Sequence, residues 1–255
     1  MSTVTLYQGD CREILPTLPS ASVDCCIADP NYVETSLPWD KRCDGWIPAL
    51  ARVLKPASSI WVFGSLRSLV PVFAEMAEHG FTYSQEIVWE KQNGSCFHAD
   101  RFRRVHELVV LFYRGQWRDV YHDPQYDVGS ARRRVIRRKM RPTHHGLRNN
   151  IPYVSEDGGD RLMRSVLRIR NEHGRAIHPT QKPVELVLPL LRYSCPPGGT
   201  ALDCFAGSGT TGVAARIEHR DAILIEKDPT HAADLRQRLA NDAPLFTPPV
   251  RMEAM

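Results

Sequence analysis

Short apolar runs alternate along the chain with stretches whose apolar residues recur every three to four positions, the rhythm of strands interleaved with helices. Runs at 4–7, 23–28, 59–63, 83–89 and 108–113 predict five strands. Between them, 46–54, stopped ahead of Lys55-Pro56, and 66–78, stopped by His79-Gly80, predict helices. From about 114 to 175 the rhythm fails. That stretch is polar, basic and rich in Tyr, His and Arg, and only 161–169 is periodic. The alternation then resumes with a helix at 183–193, where Pro183 falls near the first turn and its missing N–H costs little. A turn at 195–199 leads into a strand at 200–204, a helix at 210–218, a strand at 222–225 and a helix at 230–240. The last dozen residues, with Pro244, Pro248 and Pro249, predict a loose tail. No internal repeat is present.

Composition narrows the class without naming a function. The chain has 255 residues, 42% hydrophobic and 24% charged, which suits a globular protein and excludes a collagen-like or wholly disordered one. No apolar run approaches the ~18 residues of a spanning helix, so no membrane partner is expected. The N-terminal residues lack the basic and apolar regions of a signal peptide. The seven cysteines include no CxxC pair, and reduced thiols in a cytoplasmic protein, with no metal site, are expected.

Charge is distributed unevenly. Residues 1–100 carry a net −5, residues 101–175 a net +10 and residues 176–255 a net −1. The densest cluster is Arg132, Arg133, Arg134, Arg137, Arg138, Lys139 and Arg141, followed by Arg148. Such density between structured segments is the footprint of a polyanionic partner, because each neutralised phosphate releases condensed counterions.

Two motifs carry candidate chemistry. The segment from Asp203 through Phe205, Ala206, Gly207, Gly209 and Thr210 to Gly212 follows a strand and opens a helix. Its small residues let a ligand approach the backbone, and the helix start offers free N–H groups. Gly207, Gly209 and Gly212 match GxGxxG, and Glu226 ends the next strand, placed to accept from both ribose hydroxyls. By itself this unit is a nucleoside-cofactor site that fits NAD as well as S-adenosyl-L-methionine. The second motif is Asp29-Pro30-Asn31-Tyr32 at the C-terminal end of an apolar strand. Asp29 and the Pro30 carbonyl can accept the two hydrogens of an exocyclic amine, and Tyr32 can stack on its ring. An aryl amine needs this help, because its lone pair is nucleophilic only when localised on nitrogen.

With these motifs in this order the chain resembles the β class of amino-group DNA methyltransferases, which modify adenine N6 or cytosine N4. The resemblance spans roughly residues 5–240 apart from the basic stretch. It includes Gly9-Asp10, the Asp29–Tyr32 loop, Trp89 with Lys91 and Asn93, Arg101 through Glu107, and His178-Pro179-Thr180-Gln181-Lys182-Pro183 ahead of the glycine turn. It implies a Rossmann-like methyltransferase fold with a mixed, mostly parallel seven-stranded sheet, a circularly permuted motif order and an inserted target-recognition region. The parts would be a catalytic half at 1–113, the recognition region at 114–175, a cofactor half at 176–242 and a flexible tail at 243–255.

The resemblance also implies roles. S-adenosyl-L-methionine would be the cofactor, with Asp10 at its adenine, Glu226 on its ribose, and Asp203, Phe205, Ala206, Gly207, Gly209 and Thr210 around it. Thr180 and Lys182 would reach its carboxylate. Asp29, Pro30, Asn31 and Tyr32 would hold a base flipped out of double-stranded DNA. Arg103, Arg104 and His106 would touch phosphates near that base, and the arginine cluster would contact the duplex. Asn31 stands where the family usually has proline, and Asp29, in place of serine, favours adenine N6. A homodimer of bacterial or phage origin is expected by the same resemblance. The chemistry would be direct transfer; Cys195-Pro196 reverses the order a cytosine-C5 enzyme uses. An RNA or protein-glutamine methyltransferase, an NAD-dependent oxidoreductase and a catalytically silent DNA-binding protein are the other readings of the motifs.

Overall fold

Four neighbouring strands place a carboxylate at or just past their ends along one edge of a sheet, and that edge organises the molecule. In the computed structural model, residues 2–95, 99–127, 160–172, 174, 176–241 and 251–253 are described. The larger of two compact units comprises Met1–Asp123 and Ser165–Met255. In chain order it contains β1 (Val4–Gln8), α1 (Cys11–Ile14), β2 (Val23–Ala28), α2 (Trp46–Val53), β3 (Leu54–Gly64), α3 (Leu66–Glu78), β4 (Thr82–Ser95) and β5 (Arg104–Arg114). The smaller unit, Pro124–Arg164, contributes β6 (Tyr126–Asp127) and β7 (Arg161–Leu162), an antiparallel pair with Tyr126 opposite Leu162. The larger unit resumes with β8 (Val166–Arg168), α4 (Val184–Ser194), β9 (Thr200–Asp203), α5 (Thr210–Ile217), β10 (Asp221–Glu226), α6 (Pro229–Asn241) and β11 (Arg251–Glu253).

The main sheet has nine strands in the order β11-β1-β10-β9-β2-β3-β5-β4-β8, and β5 alone runs against the others. The α/β class and mixed, mostly parallel character agree with expectation, but the strand count of seven does not. The seven predicted strands are all present, and β8 and β11 extend the two edges. Each is three residues long, too short to show a period of two in the sequence.

Local sequence accounts for the central elements. β2 buries both faces, so its run Val23–Ala28 reads as nearly continuous apolar residues, as a central parallel strand requires. α2 places Trp46, Ile47, Leu50 and Val53 on one buried face. α3 opens with a capping box in which Ser65 and Ser68 bond each other's backbone N–H, at 3.3 and 3.0 Å. It closes at His79-Gly80, where Gly80 takes a left-handed φ of 78°. The core behind the sheet is dominated by Trp46, Phe112, Ile60, Leu50 and Ile14, all essentially buried.

Pairing of β9 with β2, Cys26 opposite Leu202, brings the late glycine turn beside the early Asp-Pro-Asn-Tyr loop. On the other side β10 pairs with β9 and β1 pairs with β10, Gln8 opposite Glu226. Asp10 follows β1, Glu226 ends β10, Asp203 ends β9 and Asp29 follows β2. All four lie at the carboxyl ends of parallel strands, the edge where open α/β sheets bind ligands. No helix among the described residues is long and apolar enough to cross a membrane. Among the described residues six cysteines are free, five of them buried.

Candidate active site

The glycine turn is built around two buried carboxylates. Asp203 accepts from the Phe205 N–H at 3.0 Å and from Thr211 Oγ1 at 2.6 Å. Burial pushes its carboxyl up to about 7, against the lowering effect of those two donors. Glu226 accepts the Gly207 N–H at 2.7 Å on one oxygen and the Asp228 N–H at 2.8 Å on the other. Gly209 caps α5 with a left-handed φ of 75°, and a Cβ there would lie 2.7 Å from Leu235. It therefore packs against α6, while Asp203, Phe205, Ala206, Gly207, Thr210 and Glu226 line a cavity of about 560 Å³. Asp10 lines the same cavity as the N-cap of α1. The Arg12 guanidinium holds the Asp10 carboxyl well below the usual carboxylate range, and Lys227 adds to this at 3.0 Å. Phe205 meets the Trp46 ring edge-on at 5.2 Å.

A second cavity, of about 700 Å³, opens beside the first. Pro30, Tyr32, Trp89, Lys91, Arg104, His106 and Glu107 line it. Asp29, Asn31, Trp39, His178, Thr180, Gln181 and Lys182 line both cavities and form the partition between them. His178 and His231 meet at 4.3 Å beside Trp39. Burial, the neighbouring His231 and Lys182 lower His178 to about 4, so its ring is neutral near pH 7.

The partition holds a buried ion cluster. Lys182 Nζ lies 2.5 Å from Asp29 Oδ2 and 3.5 Å from Glu107 Oε2. Tyr32 places its hydroxyl 3.0 Å from Asp29 Oδ1 and 3.2 Å from Glu107 Oε2. Lys91 is paired with Glu107. Burial pushes the Asp29 carboxyl up, with Glu107 adding to the rise and Lys182 opposing it. Burial acts the same way on Glu107, but the ammonium groups of Lys182 and Lys91 outweigh it and hold that carboxyl at about 2. The phenol of Tyr32 is raised well above its ordinary value by burial and by both carboxylates.

Asn31 turns away from this cluster. Its Nδ2 donates to the Trp39 carbonyl at 2.6 Å and the Lys41 carbonyl at 2.9 Å. The loop it fastens is knotted internally by Asp40, which accepts the N–H groups of Val33, Glu34 and Thr35 and the Thr35 hydroxyl.

The remaining expected residues are dispersed. Thr180 is on the partition and Thr210 Oγ1 donates to the Lys182 carbonyl at 2.9 Å. Arg104 is paired with Glu34 at 2.7 Å on the wall of the second cavity, and exposed His106 stands beside it. Arg103 reaches the Gly94 carbonyl. Arg132, Arg133, Arg134, Arg137, Arg138, Lys139, Arg141 and Arg148 lie outside the described residues. Among the described residues, one group of metal-ligand type converges, Asp10 with Cys11 and Cys43, and Arg12 and Lys227 already engage its carboxylate.

Lys91, Trp39 and Glu107 belong to the site without having been given a role from sequence. Glu107 did leave a trace, as an acid set within a strand that continues Leu108-Val109-Val110. A charge on the edge of such a run is buried only when it is paired.

Fold and site together define a class: an α/β protein whose sheet edge carries two adjoining cavities that share Asp29 in their wall. Comparison with known proteins makes the class specific. A family model described as DNA methylase matches residues 23–237. Type II methyltransferase M.HinfI of Haemophilus influenzae is 27% identical over 272 aligned residues, covering 94% of this chain and 69% of that protein. M1.HpyAVI, solved as a SAM complex, shares the fold with a TM-score of 0.63 at 23% identity, over 92% of this chain and 100% of its own. PvuII DNA methyltransferase, cytosine-N4-specific, does so with a TM-score of 0.65 at 18% identity, over 97% and 89%. The chain belongs to this family of DNA methylases and is a DNA methyltransferase.

Proposed function

We propose that this protein transfers a methyl group from S-adenosyl-L-methionine to the N6 amine of an adenine flipped out of double-stranded DNA at a specific sequence. The observation that carries this reading is the partition. Two cavities of ligand size meet at Asp29, Asn31 and Lys182, so that groups bound on its two sides face each other across one carboxylate.

The first cavity suits the cofactor. Each oxygen of Glu226 accepts one backbone N–H and has capacity for a second donor, which a ribose diol supplies. Phe205 offers an apolar face, Asp10 a carboxylate for an adenine amine, and Asp203 a buried acid beneath the turn. M1.HpyAVI, which shares this fold, was solved with the same cofactor. When bound, S-adenosyl-L-methionine supplies a methyl group activated by a sulfonium.

In the second cavity Asp29 and the Pro30 carbonyl accept the two N–H groups of the target amine. Asp29, raised by burial, is a strong acceptor; it keeps the lone pair on nitrogen and takes the proton that nitrogen releases. Tyr32 and Trp89 supply aromatic surface for the base. Lys182, expected from resemblance at the cofactor's carboxylate, acts in this reading as the counter-ion of Asp29. Residues 114–175 serve as the target-recognition region, with the arginine cluster on the duplex and Arg104 and His106 beside the flipped base.

Adenine is favoured over cytosine by the aspartate at position 29, the residue that the resemblance associates with N6 chemistry. The test is mass spectrometry of nucleosides from unmethylated DNA incubated with protein and S-adenosyl-L-methionine. N6-methyladenine supports the reading. N4-methylcytosine, the product class of the PvuII enzyme, would keep the mechanism and overturn the choice of base.

A further inference from the structure

Each oxygen of Asp29 already has one partner in the structure, Tyr32 on Oδ1 and Lys182 on Oδ2. The ammonium at 2.5 Å draws charge from Oδ2, so a target amine gains a strong acceptor there only if Lys182 yields. Lys182 is 8% exposed at its side chain, and pulling a buried ammonium from its counter-ion is strongly unfavourable. It can leave Asp29 cheaply only if a second anion waits within reach. Glu107 is that anion: Oε2 lies 3.5 Å from the ammonium, near the edge of direct pairing. Its other oxygen is held by Lys91 from β4, which fixes the carboxylate and leaves Oε2 turned to the partition.

We infer that Glu107 is a positioning residue that gives Lys182 a second seat, so that the ammonium moves from Asp29 to Glu107 as the target amine arrives. The move keeps the ammonium paired, and the amine's N–H replaces it on Asp29 Oδ2, so that the Asp29 carboxylate exchanges a cation for neutral donors. Tyr32 has one proton for two carboxylates, so its hydroxyl can turn from Glu107 to Asp29 or back as the balance shifts. The inference rests on the proposed function, since it presumes that Asp29 receives the amine.

The groups facing Asp29 are Lys182 from the segment before α4, Tyr32 from its own loop, Glu107 from β5, Lys91 behind Glu107 from β4, and Asp203 from β9. Loss of the Glu107 charge leaves Asp29 as the one carboxylate paired with Lys182 and removes the anion that raises the Asp29 carboxyl. Its carboxyl then titrates lower and holds Lys182 more tightly. Loss of the Lys91 charge acts in the opposite sense.

The experiment measures single-turnover methyl transfer against pH for wild type, Glu107→Gln and Lys91→Gln, with thermal melting and cofactor binding as checks of folding. Wild type comes first: absence of a methylated base there sinks the proposed function rather than this inference. In Glu107→Gln, the single-turnover rate constant is expected to fall about tenfold or more with Kd for DNA changed less than about threefold, and the acid limb to move to lower pH. In Lys91→Gln the acid limb is expected to move to higher pH. A merely structural role would move neither limb. Limbs that stay at the wild-type position, or shift the same way in both variants, would overturn the inference. If Glu107→Gln fails to fold, Glu107→Asp takes its place, and a limb displaced from wild type despite the retained charge has the same negative meaning.

Discussion

Replacing Asn31 tests how the loop over the cavity proposed for the cofactor is held. The side chain contributes two hydrogen bonds, to the Trp39 and Lys41 carbonyls, one partly buried and one exposed. At about 1 kcal/mol or less for each bond, their loss amounts to about 1–2 kcal/mol. The Asp40 knot is untouched, so the loop keeps its internal shape and loses only its anchor. Pro38, Trp39, Lys41 and Arg42 line the cavity from this loop, so the anchoring energy is expressed in cofactor affinity. Asn31→Ala is therefore expected to weaken S-adenosyl-L-methionine binding about 5–30-fold by calorimetry. Asn31→Asp, which turns a carboxylate toward two carbonyl oxygens, is expected to weaken it further. If both variants bind within about twofold of wild type, the latch contributes nothing and the reasoning is refuted.

Other outcomes follow from the carboxylates of the glycine turn. Asp203 keeps its proton up to about pH 7 when folded and releases it near 3.8 when unfolded, so its favourable contribution is complete at low pH and is lost as pH rises between those values. Relative to Asp203→Asn, the wild-type melting temperature should fall on the order of 5–10 °C from pH 4 to pH 7; a constant difference would contradict the assignment. Glu226→Gln leaves an NH2 group facing one of two backbone N–H donors and should lower cofactor affinity about tenfold or more, measured by the same calorimetry. Unchanged affinity would remove Glu226 from the site.

Much of the frame was legible because burial writes a period into the chain. The helix at 66–78 and the strand at 23–28 have the observed boundaries, since a Ser cap, a Gly stop and a doubly buried run leave local marks. Strand β3 began earlier than expected because Lys55-Pro56 interrupts the apolar run after Leu54, and β5 did because its first residues include polar Arg104, His106 and Glu107 held by pairing, as Arg104 is opposite Ser95. The Asp29 and glycine-turn motifs were legible for a chemical reason: each needs small or acidic residues at fixed offsets.

Contacts between distant segments leave no such mark. Lys182 is 153 residues from Asp29 in sequence, and a lysine after a Thr-Gln pair fits a cofactor carboxylate as well as a buried counter-ion. Glu107 and Lys91 share a cavity only because β4 and β5 pair as an antiparallel hairpin. In the sequence Asn31 registers only as a departure from the family's usual proline. Its role as a latch depends on carbonyls eight and ten residues away, which no periodicity reveals.

The central claim is that Asp29, on the partition between two cavities, serves the methyl transfer. The most direct test compares wild type with Asp29→Ala for methylated nucleosides formed on unmethylated DNA, with cofactor and DNA binding measured on the same samples. The account predicts N6-methyladenine from wild type and none from Asp29→Ala, with both binding activities retained. Equal methylation by the two proteins would contradict it.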